Sequence, residues 1–151
     1  MSIANGKGPI IPLISVAAHT IDRGGFTITR HHKQAYTGYS IGTGTVEVKT
    51  PVSLYEIEKA VSFVSGVLHR IINSTMGGVV YNSPDDKYLG IGTWLTDDGE
   101  SCVTELVHIY PISSMDEDMA RYIGKYRKQF SIYHLDENRE IKTGYSENYQ
   151  G

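Results

Sequence analysis

Two histidines lie in or beside stretches with the composition of β-strands, and histidine is the side chain whose ordinary pKa is nearest to neutral pH. His19 lies in the segment 18–21 and His108 in the segment 107–110. Two imidazoles on adjacent strands can act as base and acid on a phosphodiester. One hypothesis for the chain is therefore a small metal-independent phosphoesterase with His19 and His108 as its catalytic residues.

The other chemically capable residues lack the spacing of a metal or nucleophile site. His31 and His32 are neighbours in a predicted strand, so they point to opposite faces, and no His-x-x-x-His or Cys-x-x-Cys pair occurs. Cys102 lies in a predicted strand and is interpreted as a core residue. The glycine segments 42–45 and 90–93 lack the Gly-Lys-Ser/Thr of a phosphate loop and indicate bulges or close backbone approaches. We predict no metal and no cofactor.

A basic and aromatic stripe on a predicted helix near the C-terminus is the best candidate for ligand binding. Its members follow helical spacing, so that they share one side of the helix: Arg121, Tyr122, Lys125, Tyr126 and Lys128. Cations beside aromatic rings suit the phosphate and base of a nucleotide, or an acidic protein partner. The same pattern also occurs on ordinary solvent-facing helices.

Two helices are predicted, each after a strand, a proline and a Ser-x-x-Glu capping box. In the first, the box is Ser53 with Glu56, the apolar positions follow steps of three and four, and Asn73 with Gly77-Gly78 ends the helix. The second begins at Ser113 or Ser114, with Glu117 completing its box. Its apolar residues are predicted to form one stripe: Met115, Met119, Tyr122, Ile123, Tyr126 and Phe130.

The remaining ordered segments have the composition of strands. Residues 26–49 are predicted to be a hairpin that turns at Thr37-Gly38, and Leu13–Ala18 is a candidate short strand. Three later strands are predicted at 78–81, 87–96 and 101–110, with residues 82–86 as a loop. Asp98-Gly99 between two such runs is a strong hairpin signal.

These elements predict an α+β fold, with an antiparallel sheet of five or six strands and both helices on one face. The order is arm-β-β-α-β-β-β-α. Residues 1–24 are predicted to be an extended arm because Pro9 and Pro12 disfavour a helix, residues 25–135 a single α+β domain, and residues 136–151 a polar tail. The length of 151 residues fits one domain.

Composition narrows the function without identifying it. A net charge of −3 argues against generic nucleic-acid binding, no apolar run is long enough for a membrane span, and one cysteine suits a reducing compartment. Eleven tyrosines and the polar ends favour contact surfaces. The leading hypothesis is a non-enzymatic binding or assembly protein, homo-oligomeric and cytoplasmic, of the kind found among phage or mobile-element accessory and structural proteins, acting in the host cytoplasm or the virion if viral.

Three alternatives stay open beside that hypothesis. The chain could bind a small anionic ligand such as a nucleotide through the stripe around Arg121. It could be the phosphoesterase that uses His19 and His108. It could be a protein inhibitor of the immunity or anti-defence type, whose partner is another protein. Whether any catalysis occurs is left open by the sequence.

Overall fold

Six strands form one antiparallel sheet in the computed structural model of the protein, which describes residues 5–73, 75–76, 79–80 and 85–147. In chain order the elements are α1 (Leu13–Arg23), β1 (Gly25–Thr29), β2 (Tyr39–Pro51), α2 (Leu54–Ile72), β3 (Thr75–Met76), β4 (Val79–Val80), β5 (Leu89–Leu95), β6 (Ser101–Tyr110), α3 (Glu117–Tyr126), β7 (Ser131–His134) and β8 (Arg139–Lys142). The sheet order is β1-β5-β6-β2-β7-β8, and β3 pairs separately with β4. The predicted α+β class with an antiparallel sheet is confirmed.

Helix α1 packs over β1 and β5, and α2 packs over β5, β6 and β2. The register places Ile28 opposite Ile91 and Ile91 opposite Leu106, so these side chains share one face. They form the main core together with the buried positions of both helices, which include Val16, Ala17, Ile57, Val61, Val64 and Leu68. Burial of this apolar area is the main force that holds the two helices on the sheet.

The helix α3 packs over the other half of the same face. Its buried Ala120 joins a second core cluster with Tyr39, Ile41, Ile132 and Ile141. The register of β2 with β7 and of β7 with β8 aligns these strand residues on the helix-covered side. In the described part of the chain, three helices rather than the predicted two therefore cover this face.

The opposite face of the sheet is curled and has a small core of its own. Ala35 lies beyond the free edge of β1, where its amide donates to the carbonyl oxygen of Thr27. It nevertheless packs against Val107 and Ile109 of β6, and Leu135 lies against the same cluster. A residue from the sheet edge can reach β6 only if the sheet bends toward itself.

The predicted course of α2 is confirmed. Ser53 accepts a hydrogen bond from the amide of Glu56 at 3.0 Å, as the N-cap of a capping box does. The buried residues follow the predicted steps of three and four, and Asn73 is the C-cap. Gly77-Gly78, the rest of the predicted end signal, lies outside the described residues, as do parts of the predicted strand 78–81 and loop 82–86.

The prediction of an extended arm over residues 1–24, with a short strand at Leu13–Ala18, is wrong for residues 13–23. This segment is α1, and Val16, Ala17 and Thr20 are buried on its inner side. Pro12 lies at the N-cap, immediately before the helix, where a proline removes no intrahelical hydrogen bond. Gly24, with a φ of 88°, ends the helix in the left-handed conformation.

Helix α3 begins and ends inside the limits that the sequence predicted. Its N-cap is Asp116, which accepts from the amide of Met119 at 2.8 Å. Ser114, the predicted cap, instead donates to the carbonyl oxygen of Pro111. The helix ends at Tyr126, so the predicted capping box at Ser114 and the continuation toward Phe130 are both wrong.

Strand pairing is partly as predicted. The Asp98-Gly99 hairpin is confirmed, since β5 pairs with β6 around it. The hairpin predicted over residues 26–49 is wrong, because β1 pairs with β5 and β2 pairs with β6 and β7. The predicted bulge near Gly42 is present as a register shift between Gly42 and Glu47.

The polar tail predicted from residue 136 contains a strand. Residues 139–142 form β8, which pairs with β7, and Ile141 is buried beneath α3. One buried isoleucine among charged neighbours is enough to fix a short edge strand, but it leaves little hydrophobic periodicity in the sequence.

Candidate functional site

Helix α3 places small residues inward and large residues outward. Ala120 and Gly124, four positions apart, are its buried residues. A β-carbon at Gly124 would lie 2.5 Å from Cγ2 of Ile132 and 2.9 Å from Cγ2 of Thr143, which is closer than real contacts allow. Only a helix with a small inner side can pack this closely on β7. Met119, Tyr122 and Tyr126 therefore face away from the sheet, whereas Ile123 packs against the second core cluster.

The outward side of α3 exposes three large apolar side chains, which we call the α3 stripe. Met119 is 51 % exposed, Tyr122 64 % and Tyr126 79 %. Their spacing of three and four places them in one row. The rings of Tyr122 and Tyr126 stack with centroids 6.5 Å apart and planes at 22°. A contiguous row of this kind on a short helix is typical of a contact surface.

The predicted basic members of this surface are partly neutralised within the chain. Arg121 donates to Glu117 at 2.9 Å and to Asp118 at 2.8 Å. Glu117 also accepts from Arg139 at 2.6 Å, and that hydrogen bond is the main reason why the pKa of Glu117 lies below its ordinary value. The structure thus brings Tyr122 and Tyr126 together as predicted, but it gives the guanidinium of Arg121 two carboxylate partners.

Charge is divided between the two ends of α3. Exposed Asp116 and Asp118 lie at the N-terminal end, whereas Lys125 and Lys128 lie at the C-terminal end. Lys128 is beyond the last helical residue and has a φ of 61°. Beside the acidic end, a groove of about 500 Å³ is lined by Ser114, Met115, Asp116, Asp118, Met119 and Tyr122. The groove combines carboxylates with apolar groups and is therefore unsuited to an anion.

The two histidines predicted to be catalytic lie in different parts of the fold. The ring of His19, on α1, stacks on Phe26 at a centroid distance of 4.8 Å. Phe26 is paired with Thr93 on β5, whereas His108 is paired with Leu89 on that strand. Four residues of a strand span about 13 Å. The structure does not bring His19 and His108 together.

His108 belongs to a polar cluster that the sequence did not reveal. Its Nδ1 lies 3.0 Å from Nη1 of Arg127, whose Nη2 donates to the hydroxyl of Tyr110 at 3.0 Å. Tyr110 in turn donates to Asp85 at 3.2 Å. Burial, followed by the charge of Arg127, lowers the pKa of His108. These contacts join the end of α3 to β6. Arg127 also donates to the carbonyl oxygen of Gly42 in β2, so it anchors the end of the helix to two strands.

Glu105 is a buried acid on the curled face. Its side chain is only 4 % exposed, and it lies directly across the ladder from Glu47 of β2. Burial, and secondarily the charge of Glu47, raise the pKa of Glu105 to about 8. A side chain at Gly42 would collide with its carboxyl group and with the amide of Gln129. Glu105 is therefore largely neutral at pH 7, and glycine at position 42 makes room for it.

Within the described ranges, no three His, Cys, Asp or Glu side chains come together as ligands for a metal ion. Among the helices described, none is sufficiently long and apolar to cross a membrane. Comparison of the chain with protein-family models, with curated proteins and with solved structures finds no match in any of the three.

Proposed function

We propose that this chain is a binding and assembly protein that forms a homodimer through the α3 stripe. The observation that carries the proposal is the row of Met119, Tyr122 and Tyr126, all more than half exposed on a helix whose inner side is closed by Ala120 and Gly124. Association would remove this apolar area from water, which is the main favourable contribution to most protein interfaces.

A second copy of the chain is the partner that the charges favour. In an antiparallel pair of α3 helices, the acidic N-terminal end of one copy faces the basic C-terminal end of the other. The two helix dipoles then also point in opposite directions, so that the positive end of each lies beside the negative end of the other. An interface around a two-fold axis must be complementary to itself, and a helix with carboxylates at one end and ammonium groups at the other meets that condition.

The axis of such a dimer would pass near Tyr122, the middle of the exposed row. Met119 lies three positions before it and Tyr126 four positions after it, so each methionine would pack against a tyrosine of the other copy. Asp118 would then lie across from the segment that contains Lys125 of the second copy. Tyrosine suits this position because its ring is apolar while its hydroxyl stays hydrated at the rim.

The exposed aromatic residues of α2 are less suited to this role and provide a control. Tyr55 is 65 % exposed and Phe63 55 % exposed, on one side of that helix. Lys59 lies between them and places its ammonium 4.7 Å from the centroid of the Tyr55 ring. This charge interrupts the apolar row, whereas the tyrosines of α3 stack directly on each other.

Analytical ultracentrifugation of the wild type and of Y122S/Y126S tests the proposal. We expect a concentration-dependent dimer for the wild type and a monomer for the variant, since tyrosine is enriched among interface hot spots, whose truncation costs at least about 2 kcal/mol of binding free energy. The control Y55S/F63S removes two aromatic rings from α2 that are also more than half exposed, and it should leave the dimer unchanged. Native mass spectrometry of the same samples counts the subunits independently.

A pair of charge-reversal variants tests whether the partner is a second copy of the chain. D118K should weaken the dimer by placing like charges across the axis, and the double variant D118K/K125D should restore it. A wild type that stays monomeric at all concentrations contradicts self-assembly. In that case the protein-inhibitor hypothesis would be favoured, because the α3 stripe would then bind a different protein.

A further inference from the structure

A second surface, at the β1 edge of the sheet, gathers basic side chains around one cavity. The cavity has a volume of about 440 Å³ and is lined by the turn that follows β1 and by the last turns of α2. Ile10 is one of its six lining residues, and the other five are basic: Arg30, His31, His32, Lys33 and His69. No acidic residue belongs to this lining. Among the described residues, neither Arg30 nor Lys33 forms an ion pair with a carboxylate.

Two of these histidines are held in place by Ser65 of α2. Nδ1 of His69 lies 2.8 Å from the carbonyl oxygen of Ser65, and a carbonyl oxygen can only accept. Nδ1 of His69 therefore carries a proton, and Nε2 is the nitrogen that gains one when the ring becomes charged. The hydroxyl of Ser65 lies 2.8 Å from Nε2 of His32. The rings of the two histidines meet edge to face at 5.6 Å.

The backbone at His32 is held in a conformation that is uncommon for residues other than glycine. Its φ is 61°, in the left-handed region that costs energy for residues other than glycine. The carbonyl oxygen of His32 accepts from the amide of Ile11 at 2.6 Å, and its amide donates to the carbonyl oxygen of Thr29 at 2.9 Å. The hydroxyl of Thr29 accepts from the amides of His31 and Lys33. These contacts fix the backbone of residues 31–33 at the cavity.

We propose that this cavity binds the phosphate group of a small phosphomonoester. Arg30 and Lys33 provide positive charges, the remaining ring nitrogens of His32 and His69 can donate to the anion when they carry a proton, and Ile10, which is 68 % exposed, offers an apolar surface to the organic part. Positive charges that lie close together without a counter-charge repel one another. A bound oxyanion attracts each of them, and this attraction offsets the repulsion. A phosphate suits the site better than a carboxylate because it offers three acceptor oxygens and up to two charges.

Binding in this cavity should become tighter as the pH falls. Burial, followed by the neighbouring His69 and His31, lowers the pKa of His32, and an anion beside it acts in the opposite direction. Arg30 and Lys33 are the other charged groups of the cavity. Between about pH 8 and pH 7, where a phosphomonoester with a second pKa of about 6 keeps both of its charges, we expect affinity to rise as His32 gains charge in the presence of the anion.

An NMR titration of the full chain with inorganic phosphate, and separately with AMP, tests this inference. Both probes should shift the amide resonances of residues 30–33 and the imidazole resonances of His32 and His69, in a saturable manner. R30Q and K33Q should each weaken binding by roughly ten- to a hundredfold, because each removes a charge-assisted contact. K142Q makes the same change of charge at the opposite edge of the sheet and should bind like the wild type.

The two probes and the variants separate the outcomes. Shifts at the same residues with both probes support recognition of the phosphate group. A response to AMP alone, or shifts that persist unchanged in R30Q and K33Q, would overturn it, as would the absence of saturable shifts at millimolar concentrations near pH 7. K33Q guards against a folding artefact, because the Lys33 ammonium donates to the carbonyl oxygen of Gly6 and forms no ion pair within the described part of the chain.

Discussion

Helices α2 and α3 are both amphipathic, yet they turn opposite kinds of residue toward the sheet. Helix α2 buries Ile57, Val61, Val64 and Leu68, whereas α3 buries Ala120 and Gly124 and exposes Met119, Tyr122 and Tyr126. The comparison shows that an apolar row on a helix is not by itself a core-facing row. The surface opposite the helix decides which side can be buried.

The two halves of the sheet explain the difference. Beneath α2 the strands leave a space that large aliphatic side chains fill around Ile91 and Leu106. Beneath α3, Ile132 and Thr143 project so far that no β-carbon fits at position 124. The close approach selects glycine and alanine for the inner side, and the aromatic residues are left for contacts outside the chain.

The largest effect that tests this comparison is expected from L68A. Leu68 is fully buried, so the truncation should lower the free energy of unfolding by about 2–5 kcal/mol. M119A shortens an apolar residue of α3 that is half exposed, and we expect a change within about 0.5 kcal/mol. Urea unfolding at concentrations below dimerisation measures both. A larger loss for M119A than for L68A would show that α3 faces the core with its large residues.

Replacing one glycine in each helix by alanine gives a sharper comparison of α2 and α3. G124A should destabilise the protein by about 1–3 kcal/mol, because its methyl group would overlap Ile132. A β-carbon at Gly66 in α2 would have no neighbouring atom within 4 Å, so G66A should stabilise the protein by about 0.5–1 kcal/mol, because alanine has a higher helix propensity than glycine. Thermal unfolding of the two variants should therefore show shifts of opposite sign. Equal gains in both variants would contradict the close packing of α3 on β7.

The last comparison concerns the N-caps, where the two helices should behave alike. Ser53 and Asp116 each accept from the amide three residues later, at 3.0 and 2.8 Å. S53A and D116A should each lower the free energy of unfolding by about 1 kcal/mol. S114A replaces the cap predicted from the sequence and should cost less than D116A. The reverse ranking in chemical denaturation would restore the predicted capping box.

Local signals in the sequence predicted the elements whose structure depends on local contacts. The N-cap at Ser53, the apolar steps of α2 and the Asp98-Gly99 turn each act within a few residues, and each is present. Helix α1 was missed because Pro9 and Pro12 were interpreted as excluding a helix, although the helix begins immediately after Pro12. Its buried positions, Val16, Ala17 and Thr20, do follow steps of one and three.

The arrangement of the site depends on contacts between distant segments, which no local pattern records. The sequence identified Tyr122 and Tyr126, but it could not show that Gly124 meets Ile132 and so turns the tyrosines outward. It treated His31 and His32 as strand residues on opposite faces, whereas both line the cavity in the turn after β1. The partner of β1 is more than sixty residues away, and such pairing is set by the whole core.

Glu105, the buried acid on the curled face, stays protonated at neutral pH, so the folded chain binds one proton more than the unfolded chain. Unfolded glutamates titrate near 4.5, whereas Glu105 holds its proton up to about pH 8, so unfolding at neutral pH releases a proton into the buffer. The stability linked to this proton is fully present below pH 4.5 and is lost as the pH rises toward 8. At neutral pH this proton makes the native protein close to one unit less negative than its formal charge of −3.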